Sequence, residues 1–126
     1  MILRPLQFVD FDPVFSRPKP IQTPHPPILL GGESDYTLKR VVEFCDGWLP
    51  RGPLNIKDGM LRLHKFAQEA NRDISSINVT IFRAPPNLDE IKTYEDSGVN
   101  QILLEIPSTD RASCLKLLDN YQQLIC

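Results

Sequence analysis

Histidine is nearly missing from this chain, with only His25 and His64 among its 126 residues. Neither has a partner at metal-ligand spacing, so no metal site is expected. Cysteine is scarce as well. Cys45, Cys114 and Cys126 are odd in number and form no Cys-x-x-Cys pair, which points to reduced thiols in cytosol rather than a disulfide framework. No apolar run approaches the ~20 residues of a membrane span. The start, Met1-Ile2-Leu3-Arg4-Pro5-Leu6, is too short and wrongly flanked for a signal peptide. A net charge of −2 with both signs scattered offers no surface for nucleic acid or membrane. No Ser/His/Asp or Cys/His arrangement can be assembled from the order of residues either. Together these absences leave a cytoplasmic globular domain.

Proline, by contrast, is abundant and unevenly placed. Seven of the twelve prolines fall in residues 1–27, which are expected to form an extended lead-in loop ahead of a domain over 28–126. Within that loop, Asp10–Phe15 is expected to lie on the domain as a short arm. Pro26 and Pro27 cannot donate to a sheet ladder and mark the entry of a strand. Ile28, Leu29 and Leu30 form a continuous apolar run, the pattern of a strand buried on both faces. Gly31 and Gly32 then turn the backbone without a Cβ and leave amide groups open at the start of the next helix. The plain alternative is a tight β-to-α turn that needs glycine for geometry alone.

From there strand and helix signals alternate. Strand 28–31 precedes a helix over 35–44, with Ser34 or Asp35 as N-cap. Strand 47–49 precedes a helix over 55–71, whose apolar residues Ile56, Met60, Leu63, Phe66, Ala67 and Ala70 step by three or four. Gly59 is awkward in that first turn. Strand 77–82 alternates apolar and polar, and the next helix, 88–97, closes at Gly98 in the C′ position. Strand 99–106 stops at Pro107, and Ser108 or Thr109 caps a last helix to Leu124. This βαβαβαβα order predicts an α/β fold with a parallel sheet and right-handed crossovers. A doubly wound layer satisfies the same pattern as a barrel.

The choice between them comes from a resemblance. Pro18-Lys19-Pro20-Ile21-Gln22-Thr23-Pro24-His25-Pro26-Pro27-Ile28-Leu29-Leu30-Gly31-Gly32 resembles a proline-rich segment of the luciferase-like monooxygenases, a superfamily of flavin- and deazaflavin-dependent oxidoreductases. Leu38 to Pro50, with Cys45-Asp46-Gly47-Trp48-Leu49-Pro50 at its end, is similar to the segment that follows there. Glu69-Ala70-Asn71-Arg72-Asp73 and Tyr94 to Leu104 resemble two further stretches, and the match runs in register from about Asp10 onward. The resemblance implies a TIM-type (β/α)8 barrel. Such a barrel needs about 250 residues, so the match covers its second half, four parallel strands alternating with helices. The first four strands have no counterpart in these residues.

The resemblance also implies where ligands sit, because barrels place function at the C-terminal ends of the strands. It makes Gly31 and Gly32 part of the cleft for the side chain and phosphate of FMN or the deazaflavin F420, with Glu33 tolerable there only if it points to solvent. The proline-rich spacing and the short third β-to-α turn look closer to the deazaflavin branch. Trp48 is a candidate to pack beside the cofactor ring, with a place in the core as the alternative. Arg51 is a candidate for a cofactor or substrate anion, with a solvated loop arginine as the alternative. These four are the expected cofactor-binding residues, and no catalytic residue is assigned. Asp46 is expected to hold a turn amide rather than to act in catalysis. His25 lies before its strand, at the wrong end, and is expected to pack or cap, while His64 is expected to be exposed and Cys45 buried.

Arg83 is expected to face the barrel mouth or to pair with Asp89 or Glu90. Gln101, Leu103 and Glu105 share one face of their strand, which puts Gln101 and Glu105 on the barrel interior, opposite Arg83. The implied activity is flavin- or F420-dependent oxidation of a small organic substrate, with an active site that these residues alone leave incomplete. Two other readings are carried: a non-catalytic half-barrel that joins a second copy or a separate N-terminal half, and a phosphate-ligand binding module without redox chemistry.

Overall fold

The computed structural model describes residues 10–125, and the expectations for residues 1–9 and for Cys126 lie outside them. Four strands alternate with four helices: β1 (Leu29–Leu30), α1 (Asp35–Phe44), β2 (Gly47–Trp48), α2 (Ile56–Glu69), β3 (Asn78–Ile81), α3 (Leu88–Asp96), β4 (Gln101–Ile102) and α4 (Arg111–Ile125). A 3-10 turn at Ile74–Ser76 joins α2 to β3. The strands form one parallel sheet in the order β1-β2-β3-β4, as expected of consecutive β/α units. Leu30 lies beside Trp48, Trp48 beside Val79, and Ile81 beside Ile102.

That register sorts the two faces of the sheet. Trp48, Val79 and Ile81 are fully buried and meet α1 and α2, which contribute Leu38, Val41, Leu63 and Phe66. The opposite face carries Leu29, Gly47, Asn78, Thr80, Gln101 and, by the two-residue period, Phe82 and Leu103. Its apolar members Leu29, Phe82 and Leu103 are 43%, 44% and 38% exposed. In a closed barrel this face is the interior.

Local chemistry sets each helix start. Ser34 caps α1 by accepting from the Thr37 amide at 3.1 Å. Asn55 caps α2 and Asn87 caps α3 in the same manner. Gly59 resolves the awkward residue of α2: a Cβ there would stand 2.6 Å from the Trp48 ring, so the helix can approach the sheet only with glycine at that turn. Gly98 takes φ +88° after α3, the left-handed geometry of a C′ residue. Arg72 joins the two ends. Its guanidinium donates to the carbonyls of Val41, Val42 and Cys45 at 2.7–3.1 Å, adding side-chain donors to the end of α1, where the Cys45 amide supplies a backbone bond to Val41 O.

Three expectations need correction. The cap of α4 is Asp110, which accepts from the Ser113 amide at 3.0 Å, rather than Ser108 or Thr109; a carboxylate one or two residues closer to the first turn reaches the amide that those hydroxyls do not. Regular pairing in β4 covers only Gln101–Ile102 instead of 99–106, because Asn100 uses its side chain to accept from Val79 N and the chain leaves the ladder after Leu103. The arm does not lie on the domain: Phe11, Val14 and Phe15 are 67%, 75% and 92% exposed.

Candidate functional site

All four β-to-α connections leave the same edge of the sheet, since the strands are parallel. The first begins at Gly31, where an added Cβ would approach the Leu49 carbonyl at 3.3 Å. Gly32 follows with φ +108°, and a Cβ on it would meet the Thr37 hydroxyl at 2.9 Å. The turn therefore needs glycine twice, once for closeness and once for handedness. Among the described residues, the amides of Gly32 and Glu33 donate to no backbone acceptor. Glu33 is exposed, and its carbonyl accepts from Arg62 at 2.8 Å.

Trp48 holds this turn from behind. Its ring is fully buried over Gly59, and the indole N–H donates to the Gly32 carbonyl at 2.7 Å. The tryptophan thus faces the helices, with no surface left over for a ligand, and acts on the turn through the carbonyl it fixes. Arg62 acts from the other side, donating to Asp35 and Asp58 at 2.9 Å as well as to Glu33. The i,i+4 spacing of Asp58 and Arg62 is visible in the sequence; the reach to Glu33 and Asp35 across to α1 is not.

Asp46 accepts from the Ile28 amide at 2.7 Å at the opposite end of β1, which is the structural part expected of it. His25 lies at that end too, with Nδ1 hydrogen-bonded to the Pro26 carbonyl at 2.8 Å. Cys45 is buried, and that burial pushes its thiol above the ordinary range against the opposing pull of Arg40 and Arg72, so it is not a poised nucleophile. His64 is exposed on α2.

The second, third and fourth connections share a cleft of about 590 Å³ lined by Arg51, Arg83, Glu105 and Tyr121 among others. Arg51 is exposed and is registered beside Phe82, with Gly52 N donating to the Phe82 carbonyl at 2.8 Å. Arg83 has φ 55°, an uncommon geometry for a residue with a Cβ. Its guanidinium takes Glu105 with both arms, Nε to Oε2 at 2.7 Å and Nη2 to Oε1. Arg83 therefore pairs across the strands with Glu105, not with Asp89 or Glu90 along its own connection. Tyr121 on α4 donates to the Glu105 carbonyl at 2.8 Å, a contact with no sequence signal.

A family model described as luciferase-like monooxygenase matches residues 6–101. The chain belongs to that family. Three uncharacterized proteins, one from Mycobacterium bovis and two from strains of Mycobacterium tuberculosis, are each 29% identical to this luciferase-like chain over 104 residues. Those residues are 80% of this chain and 36% of the mycobacterial proteins, so the chain spans about a third of the length of these relatives. Among solved structures, the coenzyme F420-dependent tetrahydromethanopterin reductase from Methanopyrus kandleri superimposes with a TM-score of 0.58 at 14% identity, over 79% of this chain and 50% of the reductase. At that identity the likeness speaks for the fold. The β/α order and parallel sheet of this luciferase-like chain match half of the reductase chain.

Proposed function

We propose that this chain supplies the cofactor-phosphate side of a flavin- or F420-dependent oxidoreductase of the luciferase-like type. The observation that carries the reading is the Gly31–Gly32 turn at the C-terminal end of β1, packed too closely against Leu49 and Thr37 to admit a Cβ, with the Gly32 and Glu33 amides donating to no backbone acceptor among the described residues. A backbone cradle of this kind suits a phosphate, because amide groups offer partial positive charge without a bulky side chain. Gly31 and Gly32 would hold the phosphate of F420 or FMN, and Arg51 would add a cation at the neighbouring connection. Trp48 contributes by locking the Gly32 carbonyl, so that the turn is already shaped before a ligand arrives. When bound, the cofactor supplies hydride transfer or oxygen activation on its ring. The F420 dependence of the reductase from Methanopyrus kandleri favours the deazaflavin.

Fluorescence titration of the purified chain with F420 and with FMN tests the reading. Saturable binding by a folded species is expected, with at least tenfold loss in Gly32→Ala, whose Cβ would press on the Thr37 hydroxyl and strain the φ +108° turn that presents the amides. A folded chain that binds neither cofactor sinks the proposal.

A second reading rests on the exposed apolar face formed by Leu29, Phe82 and Leu103. On that reading the chain is a half-barrel that joins a second copy or a separate N-terminal half. Sedimentation equilibrium decides it: a concentration-independent monomer removes self-assembly.

A further inference from the structure

We propose that the cleft between Arg51, Arg83, Glu105 and Tyr121 is an anion subsite that receives a phosphate or carboxylate group of the substrate. The group enters by exchange, displacing the Glu105 carboxylate from the Arg83 guanidinium. The assignment to substrate rests on the oxidoreductase reading above; the anion binding itself does not.

Four features of the cleft lead to this assignment. Its ionised lining residues are two arginines and one glutamate, which leaves one positive charge in excess. The Arg83 and Glu105 side chains are 39% and 49% exposed, so water competes for their pairing and an incoming oxyanion meets an exchangeable partner rather than a buried one. Arg83 presents its planar fork already aligned for two parallel N–H···O bonds, the geometry that carboxylate and phosphate share. Its backbone is held at φ 55°, and unusual geometry of this kind persists where the surroundings fix it. The surroundings do so here. The Ala84 amide donates to Leu103 O at 2.9 Å, and Tyr121 anchors the Glu105 backbone. Pro53, Pro85 and Pro107 build the walls, with fixed φ angles and no amide of their own to compete for the anion. Arg51 stands at the rim beside Phe82, free to contribute a second cation.

The subsite is also placed to serve the reaction. Its central pair, Arg83 and Glu105, follows β3 and β4, two and three strands from the Gly31–Gly32 turn on the same edge of the sheet. A cofactor phosphate in that turn and a substrate anion on Arg83 would therefore not compete for the same guanidinium, while Arg51, after β2, stands between the two sites. Glu105 then acts as a stand-in that keeps Arg83 oriented when no substrate is present.

The test is a titration of the full 126-residue chain with inorganic phosphate and, separately, with acetate, followed by amide chemical shifts. Saturable shifts at Gly52, Ala84 and Glu105 are expected. Arg83→Gln should weaken anion binding about tenfold. Glu105→Gln removes the competitor and should strengthen it several-fold, a gain that mere damage to the fold cannot imitate. Arg51→Gln, at an exposed residue, should weaken it about threefold with the spectrum otherwise unchanged. Phosphate binding more tightly than acetate assigns the subsite to a phosphorylated substrate, and the reverse assigns it to a carboxylate. Shifts confined to Gly31 and Gly32, or affinities untouched by Arg83→Gln and Glu105→Gln, would overturn the proposal. Loss of F420 and FMN binding with these cleft responses intact would remove the oxidoreductase reading and leave the anion subsite standing.

Discussion

The β1-to-β3 half of this chain and its β4–α4 end are built from the same β/α unit, yet they bury side chains very differently. Among the described residues, every buried member of the apolar core lies between Leu38 and Tyr94, and α4 contributes none. In the first region α1 and α2 sit side by side over the sheet, with Leu38, Val41, Leu63 and Phe66 interleaved above Trp48 and Val79. In the second, α4 presents Leu115 and Leu118 that are 48% and 44% exposed. Amphipathic sequence offers a face for burial; neighbours on the correct sides complete it. The functional consequence follows the same line. The Gly31–Gly32 turn is held by Trp48 and Arg62 from inside the packed region, whereas the Arg83–Glu105 cleft lies at its border and keeps half-exposed ion pairs that a ligand can exchange.

The sharpest way to break the comparison is to remove one large side chain from each region. Trp48→Ala should destabilise by about 3–5 kcal/mol, since it empties a fully buried site beside Gly59. Leu118→Ala should cost about 0.5 kcal/mol or less, as expected for an exposed position. Urea denaturation of both variants checks the pair. A comparable loss in Leu118→Ala would mean that α4 is covered in solution by another chain.

Arg72→Ala tests a polar tie within the packed region. It removes three charge-assisted hydrogen bonds to the end of α1 and should cost roughly 2 kcal/mol. Hydrogen exchange should quicken across α1 and leave α4 unchanged. Equal effects on both helices would dissolve the distinction drawn here.

The smallest effect concerns the cap of α4. Hydrogen bonds from Ser113 hold the Asp110 carboxyl below its ordinary range. A depressed folded value means that the cap's contribution is complete above the unfolded pKa and is lost as pH falls through the folded one. Acidification below the usual aspartate range should therefore fray the first turn of α4 before the core opens. A pH titration of the Ser113 amide resonance, read against that of Leu63, checks the order of events. Simultaneous loss of both signals would show one cooperative unit.

Much of this was legible in the residues, for identifiable reasons. The bounds of α1 follow from Ser34 as cap and from the apolar step through Leu38, Val41 and Val42, all local features. The role of Asp46 followed from its position at the base of a strand. The pairing of Glu105 with Arg83 was expected from the two-residue period of a strand, and it is found although the chain has already left the ladder after Leu103. The candidate turn at Gly31–Gly32 was legible from its glycine pair, although its shape was not. That shape depends on Trp48, sixteen residues away, whose ring could have faced either side of the sheet; the register of β2 against β1 and β3 turns it toward the helices.

The sequence by itself therefore determined the alternation of strands and helices, the cap at Ser34, and the family resemblance, all carried by short-range pattern. Tertiary structure decided the rest. It explains Gly59 by the Trp48 ring above it, assigns Arg72 to the carbonyls of α1, and brings Arg51, Arg83, Glu105 and Tyr121 into one cleft. The physical reason is common to all three. Each depends on contacts between residues far apart in the chain, and such contacts exist only once parallel strands have been set in register and their helices packed over one face.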